Sequence, residues 1–195
     1  MALAKWIERL HSPFSATGYA VSRPSPSVEL ASPDSTNPRL SLIGHMVDDR
    51  FVTDLHFVDG DTKTMLLRSV EGDAKAIWPP SAPLQELVEQ ENDAGPFLAG
   101  VGRSGKSHWS VIVCPLADEA GFEFDFACRV KTEPEWIGSR YKVLDDAALK
   151  LSPCDGCSFK QNADIAVFSA DLLPEEPFPK TIRWKYRLSL RNAGE

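Results

Sequence analysis

Ser107-His108-Trp109-Ser110-Val111-Ile112-Val113, then Phe122-Glu123-Phe124-Asp125-Phe126-Ala127-Cys128-Arg129-Val130 after a short interval, is the stretch that decides the fold class of this chain. Trp109, Val111 and Val113 alternate with His108, Ser110 and Ile112. Phe122, Phe124, Phe126, Cys128 and Val130 alternate with Glu123, Asp125, Ala127 and Arg129. A period of two in aromatic and β-branched residues marks a strand with one buried face. The intervening Asp118-Glu119-Ala120-Gly121 reads as a reversal, so an antiparallel hairpin is expected. Its expected register sets Val113 opposite Phe122, Val111 opposite Phe124 and Trp109 opposite Phe126, one aromatic wall of the core.

The same pattern recurs outward from this hairpin. Leu40, Leu42 and His45-Met46-Val47 suggest one strand, and Phe51, Thr53, Leu55 and Phe57 another. Asp59-Gly60 suits a tight turn, because glycine accepts positive φ, and Thr64 to Val70 returns as the partner. Leu84 to Gln90 and Phe97 to Val101 flank the loop-forming Asn92-Asp93-Ala94-Gly95-Pro96 and are read as a further hairpin. Ile165 to Phe168 is a short apolar strand. The chain closes on Ile182, Trp184, Tyr186, Leu188 and Leu190, alternating with Arg183, Lys185, Arg187 and Ser189. The proline-rich stretches 78–83 and 174–179 suit rigid connectors.

Leu84, Leu87 and Val88 also fit a helix turn, and helical spacing is the preferred reading in two other places. Leu3, Trp6, Ile7 and Leu10 fit a short amphipathic helix over 2–11, and Val143, Leu144, Ala147, Ala148 and Leu151 fit two turns near 143–151. Residues 22–38 are rich in Ser and Pro, with Val28-Glu29-Leu30 as a short edge strand among them. The expected fold is therefore mainly β: an antiparallel β-sandwich or open barrel with a short N-terminal helix and one short helix near 143–151. Residues 1–38 read as a helical arm plus linker or surface loop, and 39–195 as a single β-rich domain.

The composition, 43% hydrophobic and 25% charged over 195 residues, is that of an ordinary globular domain, large enough to need no metal or disulfide staple. A net charge of −7 argues against general nucleic-acid or anionic-membrane binding, both of which need a positive field. No run reaches the ~20 apolar residues of a membrane span, and the first residues lack a contiguous apolar core of roughly 7–15 residues such as a signal peptide carries. With only four cysteines, a reduced cytoplasmic protein is expected.

Gly100-Val101-Gly102-Arg103-Ser104-Gly105-Lys106-Ser107 fits the spacing of a phosphate-binding loop. Over these eight residues the chain resembles the Walker A loop of nucleotide-binding ATPases and GTPases. The resemblance implies backbone N–H groups of Gly102 to Ser107 around a phosphate, Lys106 on the β and γ oxygens, and Ser107 on Mg²⁺. Such a loop works by opening a helix whose positive end faces the phosphates. Here the following residues, His108 to Pro115, read as strand, which leaves a Gly/Ser-rich turn as the preferred reading.

Cys154-Asp155-Gly156-Cys157 has the spacing of half a zinc site or a dithiol pair. Cys114 and Cys128 would have to complete a zinc site, and the hairpin register holds them apart at the turn and far along the strand. His11, His45, His56 and His108 show no ligand spacing. Gly102-Arg103-Ser104-Gly105-Lys106 misses the last glycine of a serine-hydrolase elbow. Trp109 and Trp184 fall on core faces, while Trp78 and Trp136 lie in loops. Arg183, Lys185 and Arg187 form a basic stripe for an anion or a partner, or a guard on an edge strand.

The residues thus point to a non-catalytic module that binds a protein or small-molecule ligand without a cofactor, as a monomer or as a homodimer through the N-terminal arm. A nucleotide-dependent enzyme using Gly100, Gly105, Lys106 and Ser107 is the alternative from another class, and a domain stabilised by zinc at Cys154 and Cys157 a third. Helix directly after Ser107 would favour the enzyme, and strand there the binding module.

Overall fold

Alternating apolar and polar residues dictate strand after strand, and the computed structural model, which describes residues 26–33, 38–172 and 177–191, contains thirteen of them and no helix among those residues. In chain order they are β1 (Ser27–Ala31), β2 (Arg39–Val47), β3 (Arg50–Asp59), β4 (Thr62–Ser69), β5 (Leu84–Asn92), β6 (Gly95–Ser104), β7 (Ser107–Pro115), β8 (Gly121–Val130), β9 (Gly138–Val143), β10 (Leu149–Pro153), β11 (Cys157–Asn162), β12 (Ile165–Ala170) and β13 (Lys180–Leu190). They form two antiparallel sheets, a seven-stranded one in the order β1-β2-β3-β4-β9-β12-β11 and a six-stranded one in the order β10-β13-β8-β7-β6-β5. This is a β-sandwich. Consecutive strands β10 and β11 edge different sheets, and β1 lies against β5 on the opposite flank. No helix among the described residues is long and apolar enough to cross a membrane.

The central hairpin forms as β7 and β8, with its register two residues away from the expected one. Val113 faces Phe124, Val111 faces Phe126 and Trp109 faces Cys128, while Phe122 faces Pro115. The ladder runs on to Pro115, and Leu116 N–H donates to Gly121 O at 3.0 Å, so the reversal is made by residues 117–120, one residue earlier than Asp118–Gly121. A shift of two residues returns every side chain to its own face, which is why the expected core survives the error. The first turn is also displaced: Asp59 pairs with Thr62, leaving Gly60 and Asp61 in the turn, with Gly60 at φ +55°.

The inner faces meet in an aromatic stack that joins the sheets. Trp184 stacks on Phe126 at 4.9 Å and meets Trp109 edge-on at 5.9 Å. Tyr186 of the six-stranded sheet stacks on Phe168 of the seven-stranded sheet at 4.0 Å. Its hydroxyl is also 2.6 Å from that of Tyr141 on β9, so two buried hydroxyls satisfy each other. Each of these side chains contributes roughly 1.5–3 kcal/mol by leaving water.

The helix expected near 143–151 is not there. Val143 ends β9, Leu149 opens β10, and residues 144–148 between them form a turn. Leu144 and Asp145 N–H groups both donate to Leu66 O, and Ala147 N–H donates to Asp145 Oδ1 at 3.1 Å. Aspartate competes with helical hydrogen bonding in this way, and the apolar spacing covered too few residues to outweigh it. Leu144, on the supposed buried stripe, is 50% exposed. The N-terminal helix over 2–11 lies outside the described residues. Val28-Glu29-Leu30 forms the expected edge strand as part of β1.

Candidate functional site

β6 departs from the alternation that governs the other strands. Leu98 and Gly100 point inward: Leu98 has no exposed surface, and a Cβ on Gly100 would meet Val111 and Leu87. The opposite face of β6 carries Phe97, Ala99 and Val101, which are apolar as well. Register carries that face across the sheet. Val88 pairs with Ala99 and Ala99 with Ile112, giving an unbroken apolar row over three strands. Phe97 pairs with Gln90, and Val101 with Glu86 on one side and Ser110 on the other. Phe97, Val101 and Ile112 are half-buried, Val88 is exposed, and Ala99 between them has no exposed surface. An antiparallel sheet with one face on the core ordinarily turns polar residues outward. Sequence reading passed over this surface, although Phe97-Leu98-Ala99-Gly100-Val101, apolar in both parities, was its local sign.

Two charged groups border the patch. At the end where β6 turns into β7, Arg103 pairs with His108 and His108 with Arg129, a basic row across the face. On the β8–β13 side lies the predicted stripe. Lys185 Nζ is 3.1 Å from Glu123 and 3.6 Å from Asp125, Arg187 is 2.7 Å from Glu123, and Arg183 is 4.0 Å from Asp125. Burial raises the Glu123 carboxyl pKa, but hydrogen bonds from Arg187 and Lys185 outweigh it and the net shift is downward. The same hydrogen bonds hold Lys185 and Arg187 above their ordinary values. The stripe is therefore a largely compensated ladder, three cations on two carboxylates, and not a bare anion site. Nor does Arg187 guard an edge, because β10 pairs with β13 from Tyr186 to Leu190, whereas Arg183 lies beyond that pairing.

The phosphate-loop-like stretch is the β6–β7 hairpin of this sheet. Ser104 pairs with Ser107, Gly105 and Lys106 make the turn with Gly105 at φ +55°, and strand follows Ser107 directly. Its glycines serve packing: a Cβ on Gly102 would lie 1.8 Å from Pro83 O. Ser104 Oγ donates to Ala76 O at 2.5 Å, and Ser107 is buried. The helix end that would face a phosphate is replaced by a ladder that already uses backbone N–H groups.

Cys154 and Cys157 flank the Asp155-Gly156 turn between β10 and β11, and their thiols lie 3.9 Å from Ser152 O and 3.7 Å from Ser158 O. Burial pushes the Cys157 thiol up to about 12, which disfavours the thiolate a metal or redox partner needs. Cys114 pairs with Glu123, so Cys128 lies five residues further along the strand, about 17 Å away and on the other face. Among the described residues, no group of three or more His, Cys, Asp or Glu is placed to hold a metal ion.

Elsewhere, Trp136 donates from Nε1 to Pro80 O at 3.2 Å with the Arg140 guanidinium 4.5 Å over its ring, and Trp78 packs on the core. Both loop tryptophans are thus engaged within the fold. At one end of the seven-stranded sheet, burial drives the Glu71 carboxyl up to about 7, against the Ser69 hydrogen bond and the Arg50 guanidinium, which pull it down. Its Oε2 is buried without a partner. No family model matches the chain, and comparison with curated proteins and with solved structures finds no significant similarity.

Proposed function

We propose that this protein is a non-catalytic binding module whose working surface is the outer face of the six-stranded sheet. The row Val88–Ala99–Ile112, with Phe97 and Val101 beside it, carries the reading: it is an apolar patch on a face that sheets of this kind give to water. A partner covering that face gains about 25 cal/mol per Å² of apolar surface, and the flanking charges fix its orientation. The four cysteines are unpaired, which suits a reducing compartment such as the cytoplasm. The nucleotide alternative meets strand where its helix belongs, and the zinc alternative meets two thiols without further ligands among the described residues.

A photo-reactive amino acid at Phe97, and for comparison at Val52 on the outer face of the other sheet, tests the reading in cell extract. Adducts from position 97 and none from 52 are expected. No adduct from 97, or equal adducts from both, would remove the face from consideration. Melting with excess Mg-ATP or Mg-GTP tests the nucleotide alternative, since a ligand at 100 times its Kd adds about 2.7 kcal/mol. We expect no shift; one abolished by Lys106→Ala would reinstate it.

A further inference from the structure

The working face carries opposite charge at its two ends, and that asymmetry identifies a partner. At the β6–β7 end stand Arg103 and Arg129 on the face and Lys106 in the turn, all exposed. At the opposite end, the β5–β6 turn carries exposed Asp93 and the β7–β8 turn exposed Asp118, with Glu91 and Glu119 beside them. Between the ends lies the apolar row of Val88, Ala99 and Ile112, with Val101 on its basic side and Phe97 on its acidic side.

We propose that this face stacks on the same face of a second copy, about a two-fold axis that lies in the interface and runs across the strands. The inference rests on the binding-surface reading above. Such an axis keeps each strand over its own counterpart and reverses its direction. The apolar row then meets itself, Ile112 lies near Ile112 of the second copy, and Val101 covers Phe97 of that copy. The basic end falls on the acidic end twice, once in each direction, as a self-complementary interface requires. Reversing the rows in this way makes the two ends complementary, while Asp125 and Lys185, which continue the row beyond Ile112, meet their own copies as an ion pair held within each chain; stacking with rows in register would set Arg103 and Arg129 against themselves. Among the described residues, the other outer face has no comparable apolar row.

The size is adequate. The five strands from β13 to β5 span about 24 Å at ~4.8 Å per strand and about 30 Å along, roughly 700 Å² on each copy. Two copies would bury about 1,400 Å², within the roughly 1,200–2,000 Å² of stable specific interfaces. Packed sheets twist relative to each other by about 30°, which keeps the central row in contact while spreading the charged ends.

Sedimentation of the purified full chain over a range of concentrations tests this. The proposal expects a dimer of twice the 21.5 kDa chain mass, weakened as salt rises. Arg103→Asp and Asp93→Arg, both at exposed positions, should each weaken the dimer by about tenfold, and the double variant should restore it, because the exchanged charges meet across the axis. A monomer at every concentration overturns the proposal, as does a dimer indifferent to both single variants or a double variant no better than either. A monomer whose position 97 still cross-links to other proteins would defeat self-pairing and leave the binding surface standing. A monomer without such adducts would defeat both.

Discussion

The two outer faces of this sandwich obey the same alternation and treat apolar residues in opposite ways. On the seven-stranded sheet the large outward apolar residues of the central strands have a charged or titratable one across the strand: Ile43 faces Asp54, Val52 faces His45, Ile165 faces Lys142 and Val167 faces Arg140. Ion pairs cover the same face. Arg68 holds Asp54 at 2.7 and 2.8 Å, His45 lies 3.6 Å from that carboxylate, and Lys63 reaches Glu29 at 2.9 Å. On the six-stranded sheet, apolar faces apolar from Val88 through Ala99 to Ile112, and charge gathers beside that row, on Glu86 of β5 and on the β8–β13 ladder that begins at Asp125. Interspersed charge keeps a sheet face in water, whereas a segregated apolar centre with a charged border is how interfaces are built.

The comparison can be broken most severely at Ala99. Aspartate there places an unpaired charge where no solvent reaches, and a loss of about 3 kcal/mol or more is expected in urea unfolding. If Ala99→Asp is tolerated, the centre of the face is wet and the contrast fails. Glu71 gives the next effect. Its native pKa of about 7 exceeds the ordinary 4.5, so the folded state holds a proton that the unfolded state has released. Stability should therefore fall as pH rises from about 4.5 to about 7, by at most about 3 kcal/mol. Glu71→Gln should flatten that profile and stabilise the protein at pH ~8. A profile shared with the wild type would place the titration on another group.

Charge on the two faces should differ in strength. Asp54 is buried beneath a bidentate arginine, and Asp54→Asn should cost about 1–3 kcal/mol, nearly independent of salt. The Glu123 carboxylate is more open, 24% exposed against 6% for Asp54, so Glu123→Gln should cost under about 1 kcal/mol and less at high salt. Equal costs would mean that the two faces are not electrostatically distinct.

Much of the sandwich was legible because its strands alternate cleanly. Trp109, Phe124 and Trp184 disclose their faces through neighbours two residues away, and even a misplaced register leaves those faces intact. The apolar row was illegible for the opposite reason. Val88, Ala99 and Ile112 come from three strands and meet only through pairing, so local periodicity carries no record of their contact. The stripe of Arg183, Lys185 and Arg187 was visible as a pattern, but its compensation by Glu123 and Asp125 depends on β8 lying beside β13. The phosphate-loop spacing misled because glycines needed for close approach to Pro83 and for the hairpin turn fall at the same intervals. Near 143–151, apolar spacing over so short a run could not outweigh the turn chemistry of Asp145.

The most direct test sets one lysine on each outer face. Val52→Lys and Ile112→Lys both occupy half-buried outward positions, and the average mass of each in solution is compared with wild type across concentration. Wild type and Val52→Lys should reach twice the 21.5 kDa chain mass while Ile112→Lys, with an unchanged circular-dichroism spectrum, stays at the single-chain value. Identical association by all three folded proteins would contradict the assignment of the six-stranded face as the surface this protein binds with.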